Sequence, residues 1–336
     1  MNSISSLLFS LVTVIVLVLI SYVGVAQLGL NNLFGVFIPY AAIAIFFIGF
    51  VYRIVSWAKV PVPFRIPTTC GQGYSLPWIK ADNLEAPYNR WGLLGRMFLE
   101  VFLFRSLFRN TKAQLRGGPN VAYGSNQWLW LFGILFHYAF LTIVIRHIRF
   151  FLEPVPRFVE LISSVDGFFN ILIPTLFLTD LVFLGAASYL FLRRVVLPQM
   201  RYLSLVADYF PLILILGIAI SGVLMRNVWK VDLLNVKTLA MGLFSFHPPS
   251  PVPADIGVIF YIHLFLVSVL LVYFPFSKLM HAGGVFMSPT RNMRNVNRME
   301  RYENPWNYPV KVHTYEAYEN EFRAKMKEAG IPVDKE

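Results

Sequence analysis

Cysteine is almost missing from this chain of 336 residues, and that absence excludes several chemistries at once. Cys70 stands alone. With no Cys-x-x-Cys-His there is no covalent c-type haem, and with no cysteine cluster there is no iron–sulfur centre. Any metal chemistry must therefore use histidine, and Cys70, in Pro67-Thr68-Thr69-Cys70-Gly71-Gln72-Gly73, reads as a loop thiol. Charge is the second scarcity. Only 14% of residues are charged and 57% are hydrophobic, where a soluble domain carries about 25% charged residues. No internal repeat or low-complexity segment stands out.

In place of charge there are long apolar runs. Six reach the roughly 20 residues needed to cross a bilayer: about 7–26, 33–56, 128–151, 168–192, 205–225 and 256–280. The expected fold is all-α, a six-helix polytopic bundle. The first run has no Lys or Arg ahead of it and is too long for the apolar core of a signal peptide, so it reads as a retained helix. The net charge of +11 follows from topology. With the N-terminus in the cytoplasm, 23 of the 29 Lys and Arg residues fall on the inside: the 58–126 loop, the 193–203 loop, the tail, and Arg53 at the end of helix two. That asymmetry places both termini in the cytoplasm and the chain in the cytoplasmic membrane. No compact basic face stands apart from the membrane, so the charge does not indicate nucleic acid.

The 58–126 connection is rich in turn formers early and amphipathic from Trp91 to Phe108, a pattern for a helix at the membrane interface or against a partner. The tail from Met287 is polar. A short helix is expected over Thr314–Glu328, and a tail of this kind has no core of its own.

Four of the six histidines lie in two of the apolar runs. His137 and His147 are ten residues apart in the third, and His263 and His281 are eighteen apart in the last. Ionisable groups at membrane depth usually mark function. Two facing helices with two histidines each can supply the axial ligands of two haems b. Antiparallel pairing joins His137 with His281 and His147 with His263. The helical rise separates the first pair of positions by about 15 Å and the second by about 27 Å. Tilt, or a kink at Pro275, must absorb the mismatch. A continuous helix would put His263 and His281 on one face. Hydrogen-bonding contacts between helices are the plainer alternative for each histidine. His247 reads as a solvated loop residue and His313 as a surface one.

The His-x9-His and His-x17-His spacings, with Pro275-Phe276-Ser277-Lys278-Leu279-Met280-His281, resemble the NarI-like cytochrome b family, the membrane subunits of respiratory nitrate reductases. The resemblance spans residues 33–285. It leaves 1–32 as an additional transmembrane helix and 286–336 as a cytoplasmic tail. It implies two haems b on the four histidines, paired as above. The segments Ile66-Pro67-Thr68-Thr69-Cys70-Gly71-Gln72 and Asn304-Pro305-Trp306-Asn307-Tyr308-Pro309-Val310-Lys311-Val312-His313 are similar to those of the DsrM group, the cytochrome b subunits of DsrMKJOP complexes in dissimilatory sulfur metabolism. That resemblance implies exchange with menaquinol or menaquinone. It also implies a cytoplasmic DsrK-like iron–sulfur partner resembling heterodisulfide reductase, alongside the other DsrMKJOP subunits. The rival readings are a dihaem subunit of a heterodisulfide or nitrate reductase complex, and a haem-free transporter or anchor.

Several polar residues complete the expectations. Arg146, Arg149 and Lys278 flank the histidines and suit haem propionates, although snorkelling to headgroups explains them equally. Asp180, near the middle of the fourth run, reads as an interhelical hydrogen bond or as part of a proton path. The family's quinol pocket lies beside the outer haem, and its quinol-contacting lysine has no counterpart here. The outer groups available for quinone are Glu153, Arg157 and Asp166. Catalytic residues are not identifiable.

Overall fold

The computed structural model describes residues 2–62, 78, 80–116, 120–168, 177–295 and 312–335. The Ile66–Gln72 segment with Cys70, and most of the Asn304–His313 segment, lie outside these. Among the described residues, five helices are long and apolar enough to cross a membrane. They are α1 (Ser3–Ala26), α2 (Leu33–Ala58, opening with a π-helical turn), α5 (Gln127–His147, prolonged by a 3₁₀ turn to Phe150), α9 (Val206–Asn227) and α11 (Val258–Tyr273, prolonged to Phe276). They coincide with five of the six expected runs. In the fourth, Phe177 is extended (φ −67°, ψ 144°), and the helix α7 begins after it, at Leu178–Val196.

Between the long helices lie α3 (Arg90–Leu103), α4 (Arg105–Phe108), the hairpin β1–β2 (Thr111–Arg116 and Asn120–Ser125), α6 (Arg157–Phe168), α8 (Pro198–Leu203) and α10 (Leu233–Phe244). After α11 come α12 (His281–Gly284), α13 (Pro289–Asn292) and α14 (Tyr315–Glu328). The two strands pair antiparallel, with Ala113 opposite Tyr123. The helix expected in the tail is present, with Thr314 Oγ1 accepting from the Ala317 N–H at 3.2 Å as its N-cap.

The bundle is built outward from α9 and α11. α1 packs against both, α2 against α11, and α7 bridges α9 to α5. Val14 of α1 joins Tyr209, Ile213 and Leu214 of α9 and Ile262 and Leu266 of α11 in one buried cluster. The N-terminal helix is thus part of the bundle. Its buried Ser10 and Ser21 hydroxyls are satisfied by carbonyls of their own helix, as polar groups in such a setting must be. Apolar surface on these helices already resembles lipid, so close approach depends on small residues. A Cβ on Gly49 of α2 would come within 2.7 Å of the Pro275 ring, and one on Gly24 within 2.4 Å of the Phe34 ring.

Two elements break where a continuous helix was expected. Phe104 adopts the left-handed conformation (φ 50°) and splits the 91–108 segment into α3 and α4. α3 buries Gly92, Arg96 and Glu100 while Trp91, Leu94, Phe98 and Phe102 stay exposed. Its inner face is polar because Arg96, with Arg105 and Arg109 beyond it, converges on the Glu85 carboxylate. The last run breaks at Pro275, which has no N–H to continue the ladder. A 3₁₀ turn ends at Phe276, Ser277 is extended, and a second 3₁₀ turn leads into His281. His263 and His281 are therefore not on one continuous helix.

Candidate functional site

The two helices that carry the histidines face each other across a gap. α5 packs tightly on α7 but, among the described residues, makes at most marginal backbone contact with α11. Side chains bridge the space. The rings of His137 and His281 have centroids 5.9 Å apart at 85° to each other. Those of His147 and His263 are 6.4 Å apart and nearly parallel, at 10°. These are the two antiparallel pairs expected from the sequence. His281 reaches His137 from beyond the break at Pro275.

The hydrogen bonds fix the tautomer of each ring. His137 Nδ1 lies 2.7 Å from the Gly133 carbonyl, His147 Nδ1 2.7 Å from that of Ile143, and His281 Nδ1 2.9 Å from that of Lys278. A carbonyl only accepts, so Nδ1 carries the proton in all three. His263 reaches the same state differently. Ser221 Oγ donates to the Ile218 carbonyl at 2.9 Å, so it accepts from His263 Nδ1–H, also at 2.9 Å. Each Nε2 is then unprotonated, and none accepts a hydrogen bond from a described residue. This is the arrangement of a metal-ligating histidine whose second nitrogen is held by an outer partner. Two metal–imidazole bonds of about 2 Å, plus about 1.1 Å from each ring centre to its nitrogen, give centroids about 6.2 Å apart. Both pairs lie near that value, so the donor set fits two bis-histidine haems.

Beside His147 lies a buried cluster of charge. Arg146, 8% exposed, pairs with Asp166, donates to Thr179 Oγ1 at 3.0 Å and lies 3.4 Å from Asp180. Asp166 in turn accepts from the Thr179 N–H and hydroxyl at 2.9 and 2.6 Å. Arg146 and Arg226 each lie 3.6 Å from the centre of the Phe177 ring, a double cation–π contact. Arg226, like Ser221, was not singled out in the sequence, because its partners lie on other helices.

Other expected positions are corrected. Asp180 sits in the first turn of α7 rather than mid-helix, since the helix starts anew after Phe177, and it is bound to Arg146 of α5. Of the cations expected near propionates, Arg146 is engaged by Asp166, and Lys278 lies 2.7 Å from Asp208. A fixed carboxylate of the protein lies within reach of each. Arg149 is half-buried in the 3₁₀ turn after His147. Of the three quinone candidates, Glu153 pairs with Lys237, Arg157 is exposed at the start of α6, and Asp166 is buried on Arg146. No hydrogen bond or ion pair among the described residues joins them. His247 and His313 are exposed, as expected.

A bundle of membrane-crossing helices with paired imidazoles between two of them defines a class of integral membrane protein. The sequence profile of the nitrate reductase gamma subunit family matches residues 90–299, more than half of the chain, which belongs to that family. Within it, the chain is similar to an Hdr-like menaquinol oxidoreductase cytochrome b-like subunit of Archaeoglobus fulgidus. The two are 52% identical over 279 residues, covering 82% of this chain and 83% of that protein. It is also 44% identical over 275 residues to the subunit of the same description in Archaeoglobus profundus, covering 80% and 81%.

Proposed function

We propose that the chain is the dihaem cytochrome b subunit of a menaquinol-linked oxidoreductase, serving electron transfer between menaquinol in the bilayer and a cytoplasmic heterodisulfide-reductase-like iron–sulfur partner. The observation that carries this reading is the pairing of four imidazoles, each with Nδ1 engaged and Nε2 free. His137 with His281, and His147 with His263, would hold the two haems, which supply one-electron redox chemistry when bound. The backbone carbonyls and Ser221 keep each ring in the ligating tautomer. The Arg146–Asp166–Asp180–Arg226 cluster ties the His147 end of α5 to α6 and α7, with Arg226 of α9 over the Phe177 ring.

The partner belongs on the His137–His281 side, where described residues of α3, α4 and the stretch from Phe276 to Arg291 line the cleft with both histidines. The excess of Lys and Arg on that side supports a cytoplasmic orientation, with both termini inside. The exposed apolar face of α3 suits the membrane interface beside it, since the Leu103 and Phe102 carbonyls accept from Trp130 and Tyr138 of α5 at 2.8 and 2.9 Å. The names of the two relatives support the quinol and the Hdr-like partner. Membership of a DsrMKJOP complex, with a DsrK-like subunit, rests on the similarity of the 66–72 and 304–313 segments.

Haem quantification with a reduced-minus-oxidised spectrum tests the reading. The purified protein is expected to hold two non-covalent haems b per chain. A chain that accumulates in the membrane without haem would belong instead to the transporter or anchor class.

A further inference from the structure

Among the described residues, Arg53 has no counter-ion; it lies at the edge of the cleft that holds His137 and His281. The cleft is about 1120 Å³ and is lined by Arg53, His137, Lys278, His281 and Arg291, among others. Two of its cations are already matched: Lys278 lies 2.7 Å from Asp208, and Arg291 2.8 Å from Glu100. Arg53 makes no hydrogen bond or ion pair with any described residue. Its Nε is buried without a partner, and its guanidinium lies 5.4 Å from the Trp57 ring of its own helix. A buried donor left unmatched is costly, so such a group calls for a partner.

Its place on α2 shows which way it faces. Gly49, Arg53 and Trp57 are four residues apart and share one face. Gly49 touches Pro275 so closely that a Cβ would overlap its ring, and Trp57 lies against Gly284 just beyond His281. Arg53, between them, is on the side that packs on the His281 segment, away from lipid.

We propose that Arg53 binds a carboxylate of the ligand held between His137 and His281, taking a propionate of the inner haem. The inference rests on the haem reading above. A planar guanidinium fork matches a carboxylate with two parallel hydrogen bonds. A lipid phosphate offers similar oxyanion chemistry, but from the opposite side of the helix. The charge also matters to redox balance, since a cation near the macrocycle favours the reduced, more negative state.

The test uses the full-length chain, purified with its natural partners, in R53M, R53Q and R53K forms. Redox titration follows each b haem, the inner one identified as that missing from H281A. R53M and R53Q are expected to disfavour reduction of the inner haem about tenfold, ~59 mV for one electron, or to release that haem alone. R53K is expected to stay close to the natural protein, which a purely steric role would not produce. Unchanged potential and occupancy of the inner haem in R53M and R53Q would overturn the proposal, whether or not bound phospholipid phosphorus falls. Equal shifts of both haems would overturn it too. A natural protein without two haems would instead defeat the underlying haem reading.

Discussion

The imidazole of His147 lies within 10° of the plane of His263, whereas those of His137 and His281 cross at 85°. Axial ring planes set the splitting of the iron dπ orbitals: parallel rings separate them, and perpendicular rings leave them nearly degenerate. The two haems are therefore expected to give distinct low-spin ferric resonances. The more anisotropic one belongs to the His137–His281 pair and is absent from H281A. Two signals of equal anisotropy would show that the ring planes do not differ.

Ser221 supports its histidine through a hydroxyl, where the other three rings use carbonyls. Replacing it with Ala frees Nδ1 to turn or to change tautomer. Loss of such outer partners commonly lowers ligand affinity by about 10–100-fold. S221A is expected to lose outer haem by roughly that factor in a haem-retention titration, and S221T to restore it. Normal retention in S221A would mean that packing alone orients His263.

Arg146 is the link between α5 and the acidic pair Asp166 and Asp180. Removing it leaves two carboxylates buried without their nearest cation, a change that typically costs about 3–5 kcal/mol. R146M is expected to lower the unfolding temperature in detergent markedly, while R146M combined with D166L recovers part of the loss. If the double variant is no more stable than R146M alone, the pair is not coupled.

Much of this was legible in the sequence because a bilayer imposes simple rules. Apolar length gave five helices with ends within about four residues, and four histidines in or beside apolar runs stood out against that background. Residues whose meaning depends on distant partners were not legible. Ser221 meets His263 across 42 residues of chain, and Arg146 meets Asp180 across 34. The break at Phe104 depends on a left-handed residue that nothing in its local sequence demands. The hairpin of β1 and β2 did carry a signal, the turn formers Gly117, Gly118 and Pro119 ahead of Asn120. Arg53 was visible as a lone cation in Phe50-Val51-Tyr52-Arg53-Ile54-Val55. Its place in the cleft depends on residues far along the chain, His137 and His281 among them.

The pairing of the histidines is tested most directly by difference spectra of four single variants, H137A, H147A, H263A and H281A. The expected result is two classes. H147A and H263A lack the same haem b component, and H137A and H281A lack the other, each keeping the component it does not ligate. If H147A and H263A instead abolish different components, the rings that face each other across α5 and α11 do not share an iron, and the dihaem reading in this form is wrong.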